Sequence, residues 1–175
     1  STELSLEDPD TRFQDSYRGL VREFADRGGP VHPFPIRFPN EDIPALLELL
    51  AASARGEGIP EGFVPHSTYW LVSRGTEVVG VSNLRHRLTD RLRREGGHIG
   101  YGVRPSARGR GFGTELLRLT LDRAQGLGLS QVLLTCGKTN EASVRTILAN
   151  RGVIESEEQL PERGETVQRY VIRLS

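Results

Sequence analysis

The chain has 175 residues, one cysteine, and 23 basic against 23 acidic residues, so its formal net charge is zero. This length suits one domain, and one cysteine excludes an intramolecular disulfide and fits a reducing compartment. A neutral chain is not a general nucleic-acid binder held by excess positive charge. No apolar run is long enough to cross a bilayer and residues 1–30 lack a signal-peptide core, so we expect a cytoplasmic protein with neither nucleic acid nor membrane as partner.

Two amphipathic helices are predicted in the first third of the chain. Residues 11–27 carry apolar side chains at helical spacing, and two glycines follow at the expected end. Residues 41–54 repeat this pattern, with Pro44 in the first turn, where proline is tolerated. The segments 30–35 and 55–66 have no periodicity of their own, so we expect irregular connections there.

Strand-forming residues dominate the middle of the chain. Residues 68–73 and 77–84 predict a hairpin around Arg74-Gly75-Thr76, and a third strand covers 98–103. The later predicted elements are, in order, a helix after Gly113, a strand at 132–136, a helix opening at Asn140 and a strand at 167–174. A run of strands followed by alternating helices and strands predicts an α/β fold, with a mixed sheet and helices on its faces.

The junction between the third strand and the next helix is the most informative segment. Residues 103–114 read Val-Arg-Pro-Ser-Ala-Arg-Gly-Arg-Gly-Phe-Gly-Thr, with glycines flanked by arginines. Glycine lets backbone N–H groups approach a ligand, and a helix N-terminus adds the positive end of its dipole. Arg108 and Arg110 add formal positive charge at the same place. The junction therefore predicts a phosphate-binding turn.

Three kinds of phosphate turn are candidates for this segment. A nucleotide P-loop needs a lysine after its last glycine, whereas Gly113 is followed by Thr114 and Glu115. A dinucleotide fold needs GxGxxG and an acidic residue after the next strand, whereas this chain has GxGxG and ends that strand in Thr135-Cys136-Gly137. The spacing Arg108-x-x-Gly111-x-Gly113 resembles instead the acyl-CoA diphosphate turn of the GCN5-related N-acetyltransferase (GNAT) superfamily.

The resemblance runs from about Tyr69 to Leu174. It includes His98-Ile99-Gly100-Tyr101-Gly102-Val103-Arg104-Pro105 before the turn and Thr139-Asn140-Glu141-Ala142-Ser143 after it. It implies a mixed, mostly antiparallel central sheet with helices on both faces and one splayed strand pair. It also implies a single acetyltransferase domain over 1–175, in which 1–67 form a helical acceptor-side region and 68–175 form the acetyl-CoA-binding core. Homodimers are frequent in the superfamily and are one expectation here.

The same resemblance implies acetyl-CoA as co-substrate and places it on named residues. The pantetheine arm is expected to pair with backbone groups of Tyr101 and Val103, in the wedge between two splayed strands. Asn140 matches an asparagine whose side chain meets the pantetheine, and a helix N-cap is its alternative role. The residues implied in diphosphate binding are Arg108, Gly109, Arg110, Gly111, Phe112, Gly113 and Thr114. We expect no metal, because the four histidines show no metal-ligand spacing.

The catalytic positions depart from the commoner pattern of the superfamily. Ile147 occupies the place where many members carry a tyrosine acid. Ser143 resembles a serine that some relatives place near the sulfur, and its alternative role is a helix cap. His98 is the candidate base because an imidazole with an ordinary pKa is largely neutral at physiological pH, and its alternative is a strand-end side chain bonded to the sheet. His86 and Glu95 are weaker candidates for the base.

Together these features predict an N-acetyltransferase that moves acetyl from acetyl-CoA to a primary amine of a small molecule or peptide, by direct transfer without an acyl-enzyme. The segments 30–35 and 55–66 are expected to recognise the acceptor, with plain connections as the alternative. Two other functions stay open: a non-catalytic acyl-CoA sensor, given the missing tyrosine, and a nucleotide-binding protein whose turn imitates this family. Cys136 is expected to be a small buried side chain.

Overall fold

The computed structural model describes residues 3–174, and within them the chain forms seven β-strands and five α-helices. The strands are β1 (Leu4–Glu7), β2 (His66–Ser73), β3 (Glu77–Arg85), β4 (Ile99–Val103), β5 (Gln131–Gly137), β6 (Val153–Leu160) and β7 (Glu165–Arg173). The helices are α1 (Gln14–Arg27), α2 (Ile43–Ala54), α3 (Asp90–Arg94), α4 (Phe112–Gly126) and α5 (Glu141–Ala149). Short 3-10 turns lie at Thr11–Phe13, Phe34–Arg37 and Pro105–Ala107.

The strands form two antiparallel sheets. The first has the order β1-β2-β3-β4 and the second the order β5-β7-β6. The predicted hairpin is β2–β3, and its turn holds Arg74 and Gly75 at positive φ, 55° and 74°. In the β3–β4 ladder Asn83 pairs with Gly100 and Ser82 pairs with Tyr101. This register decides which side chains of the two strands share a face.

Helices cover both faces of the first sheet because its central strands are apolar on both sides. Trp70 and Val72 pack against α1 and α2, and the Tyr17 ring stacks on Trp70 with 4.2 Å between ring centroids. Tyr69 and Leu71, which alternate with them along β2, pack on the other face with α4. Each large apolar side chain buried in this way stabilises the fold by about 1.5–3 kcal/mol. The prediction of antiparallel strands with helices on both faces is confirmed.

Strands β4 and β5 meet at one point and then splay apart. The His98 N–H donates to the Leu133 carbonyl at 2.8 Å, and the Leu133 N–H donates to the His98 Nδ1 atom at 2.9 Å. Gly97 allows this contact, since an added Cβ would overlap the Leu133 carbonyl oxygen. Within the described residues, β4 itself forms no hydrogen-bonded ladder with β5. The predicted splayed pair is therefore confirmed, with His98 at the closed end of the wedge.

Three elements, β1, β6 and α3, were not predicted, each for a physical reason. β1 is only four residues long and adds an edge strand to the first sheet, so the segment 1–67 is not wholly helical. β6 is an acidic edge strand whose Val153 and Ile154 are 68% and 49% exposed, so it lacks a regular buried face. α3 is little more than one turn, capped by the Thr89 hydroxyl, which accepts the Leu92 N–H at 3.2 Å.

No helix within residues 3–174 is both long and apolar enough to span a bilayer. The same stretch of chain holds no group of three or more His, Cys, Asp or Glu side chains suited to bind a metal ion. Cys136, on β5, is half-buried rather than fully buried, and burial raises the pKa of its thiol.

Candidate active site

The turn before α4 presents a row of free backbone amides, which we call the amide cradle (residues 109–114). Gly109 and Gly111 adopt φ of +78° and +80°, the left-handed region that favours glycine, and a Cβ at either would meet no atom within 4 Å. α4 starts without a side-chain cap, and the Glu115 N–H is the first to find a helical acceptor, the Gly111 carbonyl. Among residues 3–174, no group accepts a hydrogen bond from the six cradle amides. A helix N-terminus in this state is suited to bind an anion.

Positive charge lies beside the cradle. The Arg108 guanidinium is 5.8 Å from the centroid of the Phe24 ring, and that of Arg110 is 4.6 Å from the Phe112 ring. Neither arginine has a carboxylate partner in the described part of the chain. Partial burial and the nearby positive charge of Arg27 lower the pKa of Arg108. A ligand that brings negative charge to the cradle would relieve this repulsion.

Arg104, which precedes the cradle in sequence, has a structural role. Its Nε donates to the Glu23 carboxylate at 2.5 Å, and the same carboxylate accepts the Ser106 N–H at 2.9 Å. Burial would raise the pKa of Glu23, but the hydrogen bonds from Arg104 and Ser106 outweigh burial and lower it. Gly19 leaves room for the guanidinium, since a Cβ there would lie 2.8 Å from Arg104 Nη2. These contacts tie α1 to the junction that carries the cradle.

Alternate residues of β4 turn their backbone groups toward the wedge. The Arg104 N–H donates to the Val79 carbonyl of β3 at 2.7 Å. Every second residue of β4, counted back from Arg104, therefore turns its backbone groups toward β3. The residues between them, Tyr101 and Val103, turn theirs away from β3 and toward the wedge. The Val103 carbonyl also accepts Arg108 Nε at 3.3 Å. The structure thus puts Tyr101 and Val103 on the edge where an extended ligand can pair with a strand.

The opposite face of β4 is covered by the connection between α1 and α2. Gly100 and Gly102 allow this approach: a Cβ on Gly100 would lie 3.4 Å from Pro33, and one on Gly102 would overlap the His32 carbonyl oxygen. The connection then brings Phe34 to the second irregular segment, with ring centroids 5.9 Å from Phe63. The segments 30–35 and 55–66 therefore meet beside β4.

Two hydroxyl groups meet across the wedge. The Tyr101 hydroxyl, from β4, lies 3.0 Å from the Ser143 hydroxyl, from the first turn of α5, and either group can donate. Burial raises the pKa of Tyr101, and hydrogen bonds from Ser143 and Thr146 partly offset this effect. Tyr101 therefore keeps its proton at neutral pH and can donate a hydrogen bond.

Two other residues near the start and end of α5 have structural roles: Asn140 caps the helix and Ile147 packs in the core. Asn140 is the N-cap of α5, and its side-chain oxygen accepts the Ser143 N–H at 3.2 Å. This leaves the side-chain N–H groups of Asn140 available for other partners. Ile147 is 1% exposed and packs in the core with α4 and β5 residues, so it takes no part in chemistry.

The imidazole of His98 is hydrogen-bonded to the backbone at the closed end of the wedge. Because its Nδ1 accepts the Leu133 N–H, the neutral ring carries its proton on Nε2. Burial, together with the positive charges of Arg93 and Arg85, lowers the pKa of His98 to about 4. To accept a proton at Nδ1 the ring would have to release Leu133. This geometry favours the structural alternative stated above, a strand-end side chain bonded to the sheet.

The weaker candidates for the base are also paired. His86 Nε2 lies 2.8 Å from the Ser67 hydroxyl, and Glu95 contacts the Arg163 guanidinium. Sequence reasoning allowed the Tyr101 hydroxyl to reach the cleft but did not identify its partner, Ser143. The alternation Gly-Tyr-Gly-Val places Tyr101 and Val103 on one face, but the sequence does not show that α5 crosses that face.

Comparison with known proteins agrees with this geometry. The model of the acetyltransferase (GNAT) family matches residues 33–152, more than half of the chain. A search of curated proteins finds no match. Among solved structures, the chain resembles the Salmonella typhimurium acetyltransferase that modifies the N-terminal serine of ribosomal protein L7/L12, with a TM-score of 0.67 and 17% identity, covering 100% of this chain and 97% of that one.

Two further solved structures share the fold. The microcin C7 self-immunity acetyltransferase MccE, in complex with acetyl-CoA and AMP, gives a TM-score of 0.67 at 15% identity over 98% of this chain and 93% of that one. Spermidine N-acetyltransferase from Vibrio cholerae gives 0.62 at 17% identity over 97% and 93%. At such identities the likeness establishes the fold, and the family match carries the assignment. The chain belongs to the GNAT acetyltransferase family and is an acetyl-CoA-dependent N-acetyltransferase.

Proposed function

We propose that the enzyme binds the diphosphate of acetyl-CoA on the amide cradle and transfers the acetyl group directly to a primary amine. The observation that carries this proposal is the row of six amides without acceptors, beside Arg108 and Arg110. Hydrogen bonds from backbone amides to a charged group contribute about 1.5–3 kcal/mol each. Two or three such hydrogen bonds, together with the helix dipole, are enough to bind a diphosphate at this position.

The wedge supports an extended placement of the pantetheine arm. The backbone groups of Tyr101 and Val103 are turned toward the wedge, and we expect the side-chain amide of Asn140, at the start of α5, to meet the arm. Pairing with a strand edge fixes both the direction and the reach of the arm. An arm that starts at the cradle and follows β4 would pass the Tyr101–Ser143 pair.

We further propose that Tyr101 and Ser143 stabilise the departing sulfur. Acetyl-CoA supplies the thioester; the amine nitrogen forms the new bond to the carbonyl carbon as the carbon–sulfur bond breaks. A thiol has a reference pKa of about 8.5, so a hydrogen-bond donor at the sulfur is sufficient and a strong acid is not required. The neutral Tyr101 hydroxyl can supply that hydrogen bond in place of the tyrosine that Ile147 replaces.

The nucleophile must reach the thioester as a neutral amine. A lysine-type ammonium has a reference pKa of about 10.4 and an α-ammonium about 7.7–8.0, so a proton has to leave before attack. The assignment of His98 as the base stays a prediction, and the engaged Nδ1 atom favours loss of this proton to water instead. On this reading, alignment of amine and thioester supplies much of the rate.

The reaction is tested by incubating the protein with acetyl-CoA and a panel of primary amines. Release of CoA thiol with matching formation of acetylated amine is the expected result. Mass spectrometry of the intact protein should show no acetyl adduct, and a Cys136→Ala variant should keep its activity, because transfer is direct. Binding of acetyl-CoA without thiol release from any amine would favour the sensor alternative, and a Cys136 adduct would overturn direct transfer.

A further inference from the structure

A cavity of about 180 Å³ lies where the two irregular segments meet the end of β3. We call it the basic cavity and define it by its lining side chains Phe34, Phe63, His66, Arg85, Arg91 and Glu95. Pockets for drug-sized ligands measure about 300–1,000 Å³, so this one suits a small molecule or a single terminal residue.

The basic cavity lies close to the reacting end of the wedge. In the β3–β4 ladder Asn83 pairs with Gly100, the residue that precedes Tyr101. Arg85 follows Asn83 by two residues on the same face of β3, a distance of about 6.6 Å at the usual rise per residue. Gly100 faces Pro33 on the α1/α2 side of the sheet, and so does Arg85, so an acceptor held by Arg85 would reach the thioester past the start of β4.

The charges of the basic cavity are unbalanced. Arg85 is half-buried, donates through Nη1 to the carbonyls of Gly96 and Gly97, and has no carboxylate partner within residues 3–174. Arg91 is exposed, and its guanidinium also lacks a partner in the described chain. Glu95, the one acidic lining residue, already contacts Arg163. Two positive charges thus face the cavity without compensation.

His66 adds a neutral donor to the same wall. Its Nδ1 lies 2.9 Å from the Asn83 amide nitrogen, which donates, so the proton of the neutral ring is on Nε2. Burial, with the charges of Arg85 and His86, lowers the pKa of His66 to about 4. The ring is therefore neutral at pH 7, and its Nε2–H can donate to an anion.

Two aromatic rings add apolar surface to the basic cavity. The Phe34 ring centroid lies 5.9 Å from that of Phe63 and 5.1 Å from that of His66, and the Arg85 guanidinium lies 5.7 Å from the Phe34 centroid. The rings provide a surface for a hydrocarbon portion, and the arginines provide donors for an anionic group. A polycationic acceptor finds no free carboxylate on this lining.

We propose that the acceptor is a primary amine that carries an anionic group, a carboxylate or a phosphate, within a few bonds of its nitrogen, and that Arg85 and Arg91 bind this group. The inference rests on the proposed function, since it names the acceptor class of the same site. It also gives the segments 30–35 and 55–66 a specific task, because Phe34 comes from the first and Phe63 from the second.

The test compares matched acceptors at saturating acetyl-CoA by the initial rate of CoA thiol release. One pair is phenylalanine against phenylalaninamide, which differ in the carboxylate, and the other is O-phosphoethanolamine against ethanolamine, which differ in the phosphate. We expect at least one anionic member to exceed its neutral partner at least tenfold in kcat/KM. The pair with the larger ratio identifies the anion.

Two variants locate the preference in the basic cavity. Arg91→Gln and Arg85→Gln should each lower, at least fivefold, the ratio of kcat/KM for the preferred anionic amine to kcat/KM for its neutral partner. Arg87→Gln is the matched control, because Arg87 is exposed on the same segment but does not line the cavity. Arg91 is exposed and unpaired, so its variant remains informative if Arg85→Gln does not fold.

The outcomes separate this inference from the proposed function. Neutral amines acetylated as fast as anionic ones, with no change in the two cavity variants, would overturn the inference and leave the acetyltransferase activity established. Absence of thiol release with every amine would overturn the proposed function and the inference together. Calorimetry with acetyl-CoA would then distinguish a non-catalytic coenzyme binder from a protein that does not bind the coenzyme.

Discussion

Gly111→Ala tests whether the backbone conformation of the amide cradle binds coenzyme A. Gly111 has φ of +80°, and an added Cβ would meet no atom within 4 Å, so the substitution introduces strain without a clash. Alanine in the left-handed region costs roughly 1–2 kcal/mol. The strain is relieved when the turn changes its backbone angles, and that change turns one or more cradle amides away from the diphosphate.

The expected loss of affinity follows from the number of amides displaced. One hydrogen bond from an amide to a charged group contributes about 1.5–3 kcal/mol, so its loss should raise the dissociation constant for CoA about 10- to 150-fold. The loss of folding stability should not exceed the strain of roughly 1–2 kcal/mol. Affinity is measured by isothermal titration calorimetry with CoA at fixed salt, and stability by urea unfolding.

Gly128→Ala is the matched control. Gly128 follows the other end of α4, has φ of +91°, and also offers a Cβ no neighbour within 4 Å. It should show a similar loss of stability and the wild-type affinity for CoA. Two variants that are equally destabilised and bind CoA equally well would refute the assignment of the cradle.

Four further predictions concern catalysis and stability. Tyr101→Phe should lower kcat about tenfold in a thiol-release assay and leave the affinity for acetyl-CoA within twofold, because only the hydroxyl is lost; an unchanged kcat would contradict its role at the sulfur. His98→Asn keeps an acceptor for the Leu133 N–H, so we expect near-wild-type activity and an unchanged pH profile, whereas a selective loss near pH 7 would show that His98 is the base. The pKa values of His66 and His98 lie below their usual value of 6.5, so stability should be full above pH 6.5 and fall toward pH 4, by roughly 1 kcal/mol per histidine at pH 5 in urea unfolding; constant stability across this range would contradict the burial of neutral rings. Gly102→Ala should destabilise the fold by about 3 kcal/mol or more, because the Cβ would overlap the His32 carbonyl oxygen, whereas Gly126→Ala, with open space, should not.

The backbone conformation of the turn before α4 was predictable because it depends on local sequence. Glycines between arginines at a strand-to-helix junction require a particular backbone, and the structure shows that backbone with its amides free. The capping role of Asn140 could also be predicted, since asparagine is among the residues preferred at a helix N-cap. The hairpin and the splayed strands also followed from turn residues and from the family resemblance.

The parts that sequence reasoning missed depend on contacts between distant segments. Arg104 and Arg108 are only four positions apart, but only Arg104 meets a carboxylate, that of Glu23 of α1, across 81 positions. The Tyr101 hydroxyl finds Ser143 only because α5 crosses β4. β6 lacks a buried face, so its strand conformation comes from pairing with β7 rather than from a hydrophobic pattern.

The central claim is that the amide cradle binds the diphosphate of the coenzyme. Calorimetric titration of the wild-type protein with acetyl-CoA and with S-acetylpantetheine, which lacks the diphosphate, tests it most directly. We predict that acetyl-CoA binds at least 100-fold more tightly, since the diphosphate accepts several amide hydrogen bonds and meets two arginines. Equal affinities for the two thioesters, or no binding of acetyl-CoA, would contradict it.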